Sequence, residues 1–393
     1  MDNGEILLNG AVSVRNGIIE DAGPRGKIKR VRDERIVNLG DMLLLPGFIN
    51  MHTHLEEGPI RGFTKDGGES FTAWNNKRYS RMRQLTEEQI CKSIKLSARE
   101  HVSQGTTTIV DFSRTGFSAS VLADEPVRAV IIKDVVYERF LEHGIAQIES
   151  WSGEKNALKY GIAPHALYSL SVRGHRRLIE HGYKNERLWA CHLAESSEEL
   201  QAFCEHSGDF FFSLTRNRPW LAGDEKIGSV HYALRHNLIP SYGILIHCNY
   251  INSYELALLA AKRAFVTLCF RYSKEMGHKS FPLEAANRRG VQICLGTEGM
   301  MPPGELSLFD ELFHLKQAYP HISASEMIRW VTKNPAAALR VSDKLGSISP
   351  GKYADIIGAR FPYRDGDDIL ETLLMSDPDV AFVLIDGKEV IVS

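Results

Sequence analysis

Strand-like runs alternate with helix-like stretches along most of this chain. Eight apolar runs of strand composition recur between residues 43 and 298. Such an alternation over about 250 residues is typical of a (β/α)8 barrel, the TIM-barrel form of an α/β fold. The predicted strands are 43–54, 106–113, 127–136, 158–166, 187–195, 242–250, 264–270 and 291–298.

The segment before the second run shows why the intervening stretches are predicted to be helices. Thr86 suits an N-cap, Glu87 and Glu88 suit a first helical turn, and Gly105 suits a C-terminal stop. A doubly wound open sheet is the alternative for such an alternation, but none of the runs is followed by a GxGxxG motif. We therefore predict a barrel.

Both ends of the chain have a different sequence pattern, in which short strand-like runs are separated by turn residues. Asn-Gly and Asp-Gly pairs between alternating apolar runs are strong hairpin signals, and they occur at residues 9–10, 16–17 and 386–387. Each end is too short to hold a core alone, so the two ends are predicted to form one small composite β-sandwich. The predicted units are the first part of the sandwich (1–46), the barrel (47–344) and the second part of the sandwich (345–393).

The charge balance limits the classes of partner. The 393 residues have a formal net charge of −2, which argues against nucleic acid or an anionic membrane as the main partner. No apolar run approaches the roughly 18 residues that span a bilayer, and the first residues are acidic where a signal peptide is basic. We expect a cytoplasmic protein that acts on a small molecule, with a homodimer as the expected assembly.

Two histidines at the end of the first run form a candidate chelate. Alternate side chains of an extended chain share a face, so His52 and His54 are expected to point the same way. Two neutral imidazoles suit a borderline cation such as zinc, at ligand distances of about 2.0–2.1 Å. A pair of polar histidines at a strand end is the alternative, because motifs this short also occur by chance.

Further metal-type side chains end later runs. His192 ends the fifth run, His247 the sixth and Glu298 the eighth. Any one of these histidines is compatible with an ordinary buried or surface role. Catalytic side chains of a barrel lie at the carboxyl ends of its strands, so this shared register favours a metal site.

These motifs resemble those of a known family. PGFINMHTH, CHLAE, IHCNY and LGTE are similar to the strand motifs of the amidohydrolase superfamily, in its mononuclear branch of nucleoside and guanine deaminases and triazine hydrolases. HTHLE, FTAW, APHALYSLS, HLAESSEE, FPLEA and LSLFDEL resemble most the aminodeoxyfutalosine deaminases of menaquinone biosynthesis. The resemblance implies a metal-dependent hydrolase that acts on C–N bonds, converting aminodeoxyfutalosine to futalosine and ammonia.

The same resemblance implies a ligand set and one divalent metal. His52, His54 and His192 would hold the metal together with the carboxylate of the eighth strand, and His247 would orient the metal-bound water. Zinc is the expected metal, with iron and manganese as alternatives, because histidine-rich mononuclear sites accept all three.

Glu195 is the candidate proton carrier. It lies three residues after His192 and matches the HxxE acid of the family. Hydrolytic deamination requires activated water and a protonated leaving amine, and a carboxyl group beside a metal serves both steps. The alternative is a solvated carboxylate at a helix start. His165, in APHALYS, matches a substrate-contacting histidine of the family, and a buried structural role is the alternative for it.

Two departures from the family pattern concern catalysis and substrate. Glu298 stands where the family has the aspartate of LGTD, which binds metal and helps to deprotonate water, and Gly299 follows it. The extra methylene moves the carboxylate by about a bond length, to which active sites are sensitive. The family's CPRSN segment appears as CFRYS, in which Arg271 and Ser273 remain as candidate substrate contacts.

Two other functions remain open from the sequence. One is an amidohydrolase that acts on another aminopurine, a triazine or an N-acyl substrate. The other is a barrel whose catalysis is impaired by glutamate at the aspartate position, since a fold does not dictate a function.

Overall fold

The computed structural model describes residues 6–29, 34–151, 157–216, 225–299 and 306–390, and strands alternate with helices along most of them. The strands are β1 (Gly10–Arg15), β2 (Ile18–Pro24), β3 (Leu43–Pro46), β4 (Phe48–Thr53), β5 (Thr106–Ser113), β6 (Arg128–Val135), β7 (Ala157–Pro164), β8 (Leu188–Leu193), β9 (Ile244–His247), β10 (Phe265–Leu268), β11 (Gln292–Leu295), β12 (Ile356–Arg360), β13 (Asp379–Ile385) and β14 (Lys388–Glu389).

The α-helices of the described residues lie between the barrel strands and after them in chain order. They are α1 (Phe71–Met82), α2 (Glu87–Ser103), α3 (Ser118–Leu122), α4 (Leu141–Ser150), α5 (Val172–Lys184), α6 (Ser197–Glu205), α7 (Gly208–Thr215), α8 (Ser229–Arg235), α9 (Ser253–Ala261), α10 (Phe270–Glu275), α11 (Leu283–Arg288), α12 (Leu308–Ala318), α13 (Ala324–Trp330), α14 (Lys333–Ala338) and α15 (Ile369–Leu374). Thr86 caps α2, as predicted. In the part of the chain that the structure describes, no helix is both long and apolar enough to cross a membrane.

Eight parallel strands form the barrel. Strands β4 to β11 are neighbours in chain order, and they correspond to the eight predicted runs. At their carboxyl ends the last strand meets the first: Thr53 forms a parallel bridge with Glu298, and the His54 amide donates to the Glu298 carbonyl over 2.9 Å. The predicted fold class is confirmed.

The first predicted run divides between two sheets at its Pro-Gly pair. Residues 43–46 form β3, which pairs antiparallel with β12, whereas residues 48–53 form the first barrel strand. The two halves of this run therefore tie the barrel directly to the sheet of the chain termini.

Strands from both ends of the chain join beside the barrel, as predicted. Strands β3, β12, β13 and β14 form one antiparallel sheet, and β1 pairs with β2. Ile19, Ala354 and Ile356 form a small core between these two sheets, separate from the barrel core. The predicted limits of the three units stay a prediction, and residues 1 and 393 lie outside the described residues.

Two of the three predicted hairpin turns connect paired strands. Residues 16–17 join β1 to β2, and residues 386–387 join β13 to β14. The third prediction was wrong: Asn9 lies in a turn that opens β1, and residues 6–8 before it form no strand. An Asn-Gly pair specifies local turn geometry but not the presence of a partner strand.

Four residues at or just beyond the carboxyl ends of the barrel strands have a strained backbone. Ala194, His247, Cys248 and Glu298 have φ angles of 52°, 72°, 53° and 62°, in the left-handed region that residues other than glycine rarely adopt. Each such residue costs on the order of 1–3 kcal/mol unless its surroundings hold it in place. Two of the predicted site residues, His247 and Glu298, therefore have a strained backbone.

Arg128 fastens the sheet of the chain termini to the amino end of the barrel. Its guanidinium makes two hydrogen bonds to Asp355, at 2.7 and 3.0 Å, and one to Asp386 at 3.0 Å. It also stacks on the Tyr353 ring at 4.0 Å. The Asp355 side chain is 1% exposed, so removing the guanidinium leaves a buried carboxylate without a charged partner.

Replacing Arg128 by methionine is therefore expected to lower the free energy of unfolding by about 3 kcal/mol. Denaturant-induced unfolding followed by circular dichroism measures this change. Arg177→Met, which removes an exposed pair with Glu142, is the matched control and is expected to have little effect. Equal stability of the Arg128 variant and the parent protein would contradict this role.

Candidate active site

The carboxyl ends of four barrel strands bring together a compact group of metal-type side chains. His52, His192, His247 and Glu298 are buried, and each offers a donor atom within 4.8 Å of the others. They lie at or just after the carboxyl ends of β4, β8, β9 and β11, and each of these four strands contributes one ligand atom. The register predicted from the sequence thus converges on one point in space.

Hydrogen bonds fix which imidazole nitrogens face this point. The His192 Nδ1 donates to the His165 carbonyl over 2.5 Å, and the His54 Nδ1 donates to the Phe112 carbonyl over 3.2 Å. Both Nε2 atoms therefore carry a lone pair. The Nε2 atoms of His52 and His192 lie 3.2 Å apart, close to the spacing of about 3.3 Å between tetrahedral donors at zinc distances.

The electrostatic surroundings favour neutral imidazoles around an ionised carboxylate. Burial lowers the pKa of His54 and of His247 to about 3, and it lowers the pKa of His192 well below its usual range. Burial alone would raise the pKa of Glu298, but the neighbouring histidines, His52 first, hold it well below the usual range. Metal ligands must be in these protonation states.

Two buried imidazole nitrogens that face this point have no hydrogen-bond partner among the described residues. They are the His54 Nε2 and the His247 Nε2. The Glu298 Oε2 lies 2.8 Å from the His52 Nε2. Unpaired buried polar atoms are costly, and native structures pair nearly all of them. A divalent cation would satisfy these atoms together, so the residues present fit a metal.

The compact group differs by one residue from the ligand set predicted by resemblance. His54 was predicted as a ligand, and its Nε2 lies 3.7 Å from the Glu298 Oε1, beside the group rather than in it. His247, predicted to orient water, lies within the group, with its Nε2 3.6 Å from the Glu298 Oε2. Five potential donors thus surround the same point.

A buried hydrogen-bond network that the sequence did not reveal connects the two segments that carry His52 and Glu298. The Asn50 side chain donates to the Thr297 hydroxyl over 2.8 Å and accepts from the His52 amide over 3.2 Å. The Thr297 hydroxyl also lies 3.2 Å from the His101 Nε2. Thr297 precedes Glu298, so these bonds link the positions of β4 and of the variant carboxylate.

Glu195 lies beside the histidines and is held at both ends. The Tyr272 hydroxyl donates to its Oε1 over 2.9 Å, and the Asn249 side chain donates to its carbonyl over 3.1 Å. The same Oε1 lies 3.8 Å from the His247 Nε2. Burial, followed by the charge of Glu298, raises the pKa of Glu195 to about 8.

The alternative interpretation of Glu195, as a solvated carboxylate at a helix start, is wrong. Ser196 is the N-cap of α6, and Glu199 accepts hydrogen bonds from the amides of Ala194 and Glu195 over 2.8 and 3.0 Å. Glu199 therefore stabilises the helix start, and Glu195 is buried and directed at the histidines.

The first of the three predicted substrate contacts, His165, is held by other protein groups. His165 packs on His192, and its ring nitrogens contact Asp134 at 2.9 Å and the Tyr79 hydroxyl at 3.3 Å. Both of its nitrogens thus have protein partners, which supports the structural interpretation of this residue. A role as a substrate contact stays a prediction.

The two residues of the CFRYS segment also differ from each other. The Ser273 hydroxyl accepts from the Asn249 side chain over 3.2 Å, and this side chain also holds the Glu195 carbonyl. The Arg271 guanidinium pairs with Asp310 of α12 at 3.4 Å and is not brought to the histidines by any contact described for it. Tyr272, which the sequence showed only as a departure from the family pattern, makes the direct contact with Glu195.

A comparison with known protein families identifies the chain. The sequence profile of the amidohydrolase family matches residues 43–390, which is most of the chain. This chain belongs to the amidohydrolase family. The resemblance inferred from the strand motifs is thereby confirmed, as is the predicted enzyme class of a hydrolase acting on C–N bonds.

Named relatives of this amidohydrolase are deaminases. It is 24% identical over 371 residues to the 5-methylthioadenosine/S-adenosylhomocysteine deaminase of Syntrophobacter fumaroxidans, covering 90% of this chain and 80% of the relative. It is 26% identical over 389 residues to the enzyme of that name from Pyrococcus furiosus, covering 91% and 84%.

Solved structures share the fold of this amidohydrolase over nearly its whole length. A zinc-bound adenosine deaminase from Xanthomonas campestris superimposes with a TM-score of 0.83 at 20% identity, covering 98% of this chain and 88% of that one. Helicobacter pylori aminofutalosine deaminase in complex with methylthio-coformycin gives 0.81 at 21% identity, covering 98% and 96%.

Proposed function

We propose that this amidohydrolase is a metal-dependent deaminase of an adenine-type nucleoside, with aminodeoxyfutalosine as its substrate. The observation that carries the proposal is the buried His/Glu donor group with the Glu195 carboxyl directly beside it. A metal centre and an adjacent proton carrier are the two parts that hydrolytic deamination requires. The resemblance of the strand and loop motifs to aminodeoxyfutalosine deaminases supports this choice of substrate.

His52, His54, His192 and Glu298 would hold one divalent metal, zinc first, with His247 beside it. When bound, the cation supplies Lewis acidity that makes water a competent nucleophile near neutral pH. The unpaired His54 Nε2 supports the first of these assignments. The place of Glu298 within the buried donor group supports the second. Iron and manganese remain alternatives, because donor identity alone does not select among these ions.

Glu195 would move the protons of the reaction. In hydrolytic deamination a C–O bond forms at the ring carbon, the C–N bond breaks, and the amine leaves as ammonia. In its ionised form, the Glu195 carboxylate would take one proton from the attacking water and deliver it to the ring nitrogen. It would then take the second proton from the newly added hydroxyl and deliver it to the leaving amine, which leaves a C=O bond on the ring. The Tyr272 hydroxyl, donating to the Oε1, would hold this carboxyl in place, while His247 orients the water.

The remaining predictions belong to the same proposal. We place Ser273 and Arg271 near the substrate, and we assign His165 to support of His192 in addition to substrate contact, because of its bonds to Asp134 and Tyr79. We further propose a cytoplasmic homodimer and the three units predicted from the sequence.

A second candidate substrate is 5′-methylthioadenosine or S-adenosylhomocysteine. The observation that favours it is that the relatives at 24% and 26% identity carry this name. The same metal and the same proton transfers would serve these substrates, because the reacting adenine ring is shared. The candidates differ only in the group attached at the 5′ position.

A panel of amines tests the proposal. We expect purified protein to release ammonia from aminodeoxyfutalosine with a kcat/KM at least about 100-fold above that for adenosine, because binding of the 5′ substituent contributes to transition-state stabilisation. Ammonia is measured with coupled glutamate dehydrogenase. A preference for methylthioadenosine would select the second candidate. Hydrolysis of a triazine or an N-acyl substrate alone, followed as loss of that substrate, would overturn the nucleoside assignment.

A further inference from the structure

His278 lies in the C-terminal cap of α10, beside the candidate active site. The His278 amide donates to the Ser273 carbonyl over 2.8 Å, and the Gly277 amide donates to the Lys274 carbonyl over 3.1 Å. This pair of bonds, with Gly277 at a φ of 68°, is the Schellman motif. The backbone position of His278 is therefore fixed relative to Tyr272 and Ser273 on the same helix.

The His278 imidazole is buried against two aromatic rings. Its side chain is 4% exposed, and its ring lies edge-on to Phe71 at 5.5 Å and to Tyr272 at 6.2 Å. Burial lowers the pKa of His278 to about 4, so the ring is neutral near pH 7. It is thus an ordered, neutral imidazole rather than a mobile surface residue.

The Nε2 of this ring faces Glu195 without bonding to it. It lies 3.9 Å from the Glu195 Oε1, beyond hydrogen-bond distance, and that oxygen already accepts from the Tyr272 hydroxyl. The His278 Nε2 has no hydrogen-bond partner among the described residues. A buried nitrogen that is unpaired and directed at the proton carrier is suited to a group that arrives with the substrate.

We propose that His278 is a substrate-binding residue whose Nε2 hydrogen-bonds the nitrogen heterocycle beside Glu195. This inference rests on the proposed deaminase function. A neutral imidazole offers one donor or one lone pair at Nε2, and an adenine ring presents both ring-nitrogen acceptors and an amine donor at its edge. His278 thus adds a contact at the reacting end of the substrate, next to the residue that moves the proton.

Two substitutions separate hydrogen bonding from shape. His278→Phe keeps a planar ring between Phe71 and Tyr272 but removes the nitrogen, and His278→Gln replaces the ring by an amide that keeps a hydrogen-bonding group. We expect the phenylalanine variant to lower kcat/KM for the best substrate of the panel by about 10- to 100-fold, and the glutamine variant to restore most of it. Metal content should stay at the level of the parent protein in both.

His175→Gln is the matched control. His175 is also buried, and its Nε2 bonds to the Leu167 carbonyl at 2.9 Å, away from Glu195. We expect this variant to keep kcat/KM within about twofold even where its melting temperature falls, because its bond is structural. An equal loss in the two His278 variants, or kcat/KM near the parent value in His278→Phe, would overturn the hydrogen-bonding role.

Calorimetric binding of methylthio-coformycin distinguishes failure of this inference from failure of the proposed function. If the parent protein binds the analogue but turns over no substrate, the proposed catalysis is refuted, and the role of His278 is still tested by binding. His278→Phe should then bind the analogue about 10-fold more weakly than the parent protein does. Unchanged affinity would overturn the inference. A parent protein that neither binds the analogue nor releases ammonia overturns both proposals.

Discussion

Replacing Glu195 by glutamine is expected to lower kcat for ammonia release by about 10²–10⁴-fold, the range for a lost general acid–base group. Glutamine keeps the size of the side chain and still accepts a hydrogen bond from the Tyr272 hydroxyl, which lies 2.9 Å from the carboxyl oxygen. It cannot take up and return a proton. The substitution therefore removes proton transfer while leaving the surroundings of the histidines in place.

Steady-state ammonia release and metal analysis of the same preparation measure this effect. Glu205→Gln is the matched control, because Glu205 ends α6 and bonds only the nearby Ser207 hydroxyl in the contacts described for it. We expect the control to behave as the parent protein. A loss smaller than about threefold in Glu195→Gln would show that another group carries the proton, and loss of metal would assign Glu195 a structural role instead.

Replacing Glu298 by glutamine is expected to remove most of the bound metal and to lower activity on the order of 10³-fold. The Glu298 Oε2 lies 2.8 Å from the His52 Nε2, and its charge is the negative partner of the buried histidine group. Glutamine offers a neutral oxygen in its place, so the free energy of metal binding falls. Elemental analysis after dialysis, together with ammonia release, measures both effects.

The backbone around Glu298 has an unusual conformation. Glu298 is in a left-handed conformation, and Gly299, with a φ of 103°, follows it against β4. A side chain at Gly299 would lie 3.0 Å from the backbone nitrogen and oxygen of His54. Glycine therefore lets this segment run close to His54 directly after Glu298.

It follows that Glu298→Asp should impair the enzyme rather than improve it. Aspartate keeps the charge but withdraws the carboxylate by about one bond length, and a displacement of about 1 Å can cost 10²-fold in rate. We expect kcat/KM to fall by about 10²-fold, with less metal lost than in Glu298→Gln. A gain of activity in Glu298→Asp would instead support the impaired-barrel interpretation of the parent protein.

The barrel and the histidine group could be predicted because both follow from local periodicity. The eight buried runs are short and apolar and alternate with helix-like stretches, and side chains at strand ends share one rim of a parallel barrel. The proximity of His52, His192, His247 and Glu298 could therefore be predicted without any knowledge of long-range packing. The terminal sheet followed similarly, from turn residues and from segments too short to fold alone.

The loop residues of the site could not be predicted in the same way. Tyr272 and His278 reach Glu195 from α10 and its cap, and their sequence separation from it carries no periodic signal. Arg271 shows the converse: its position in the CFRYS segment suggested substrate contact, but Asp310, 39 residues away, pairs with its guanidinium. Such contacts depend on tertiary packing of loops, which local patterns do not specify.

Metal content and ammonia release, measured on one preparation of purified protein, test the proposed function most directly. We predict about one divalent metal per chain and ammonia release from aminodeoxyfutalosine or another adenine nucleoside, with both lost after chelation and restored by zinc or iron. A folded protein that binds no metal even when zinc or iron is supplied would contradict the proposed deaminase.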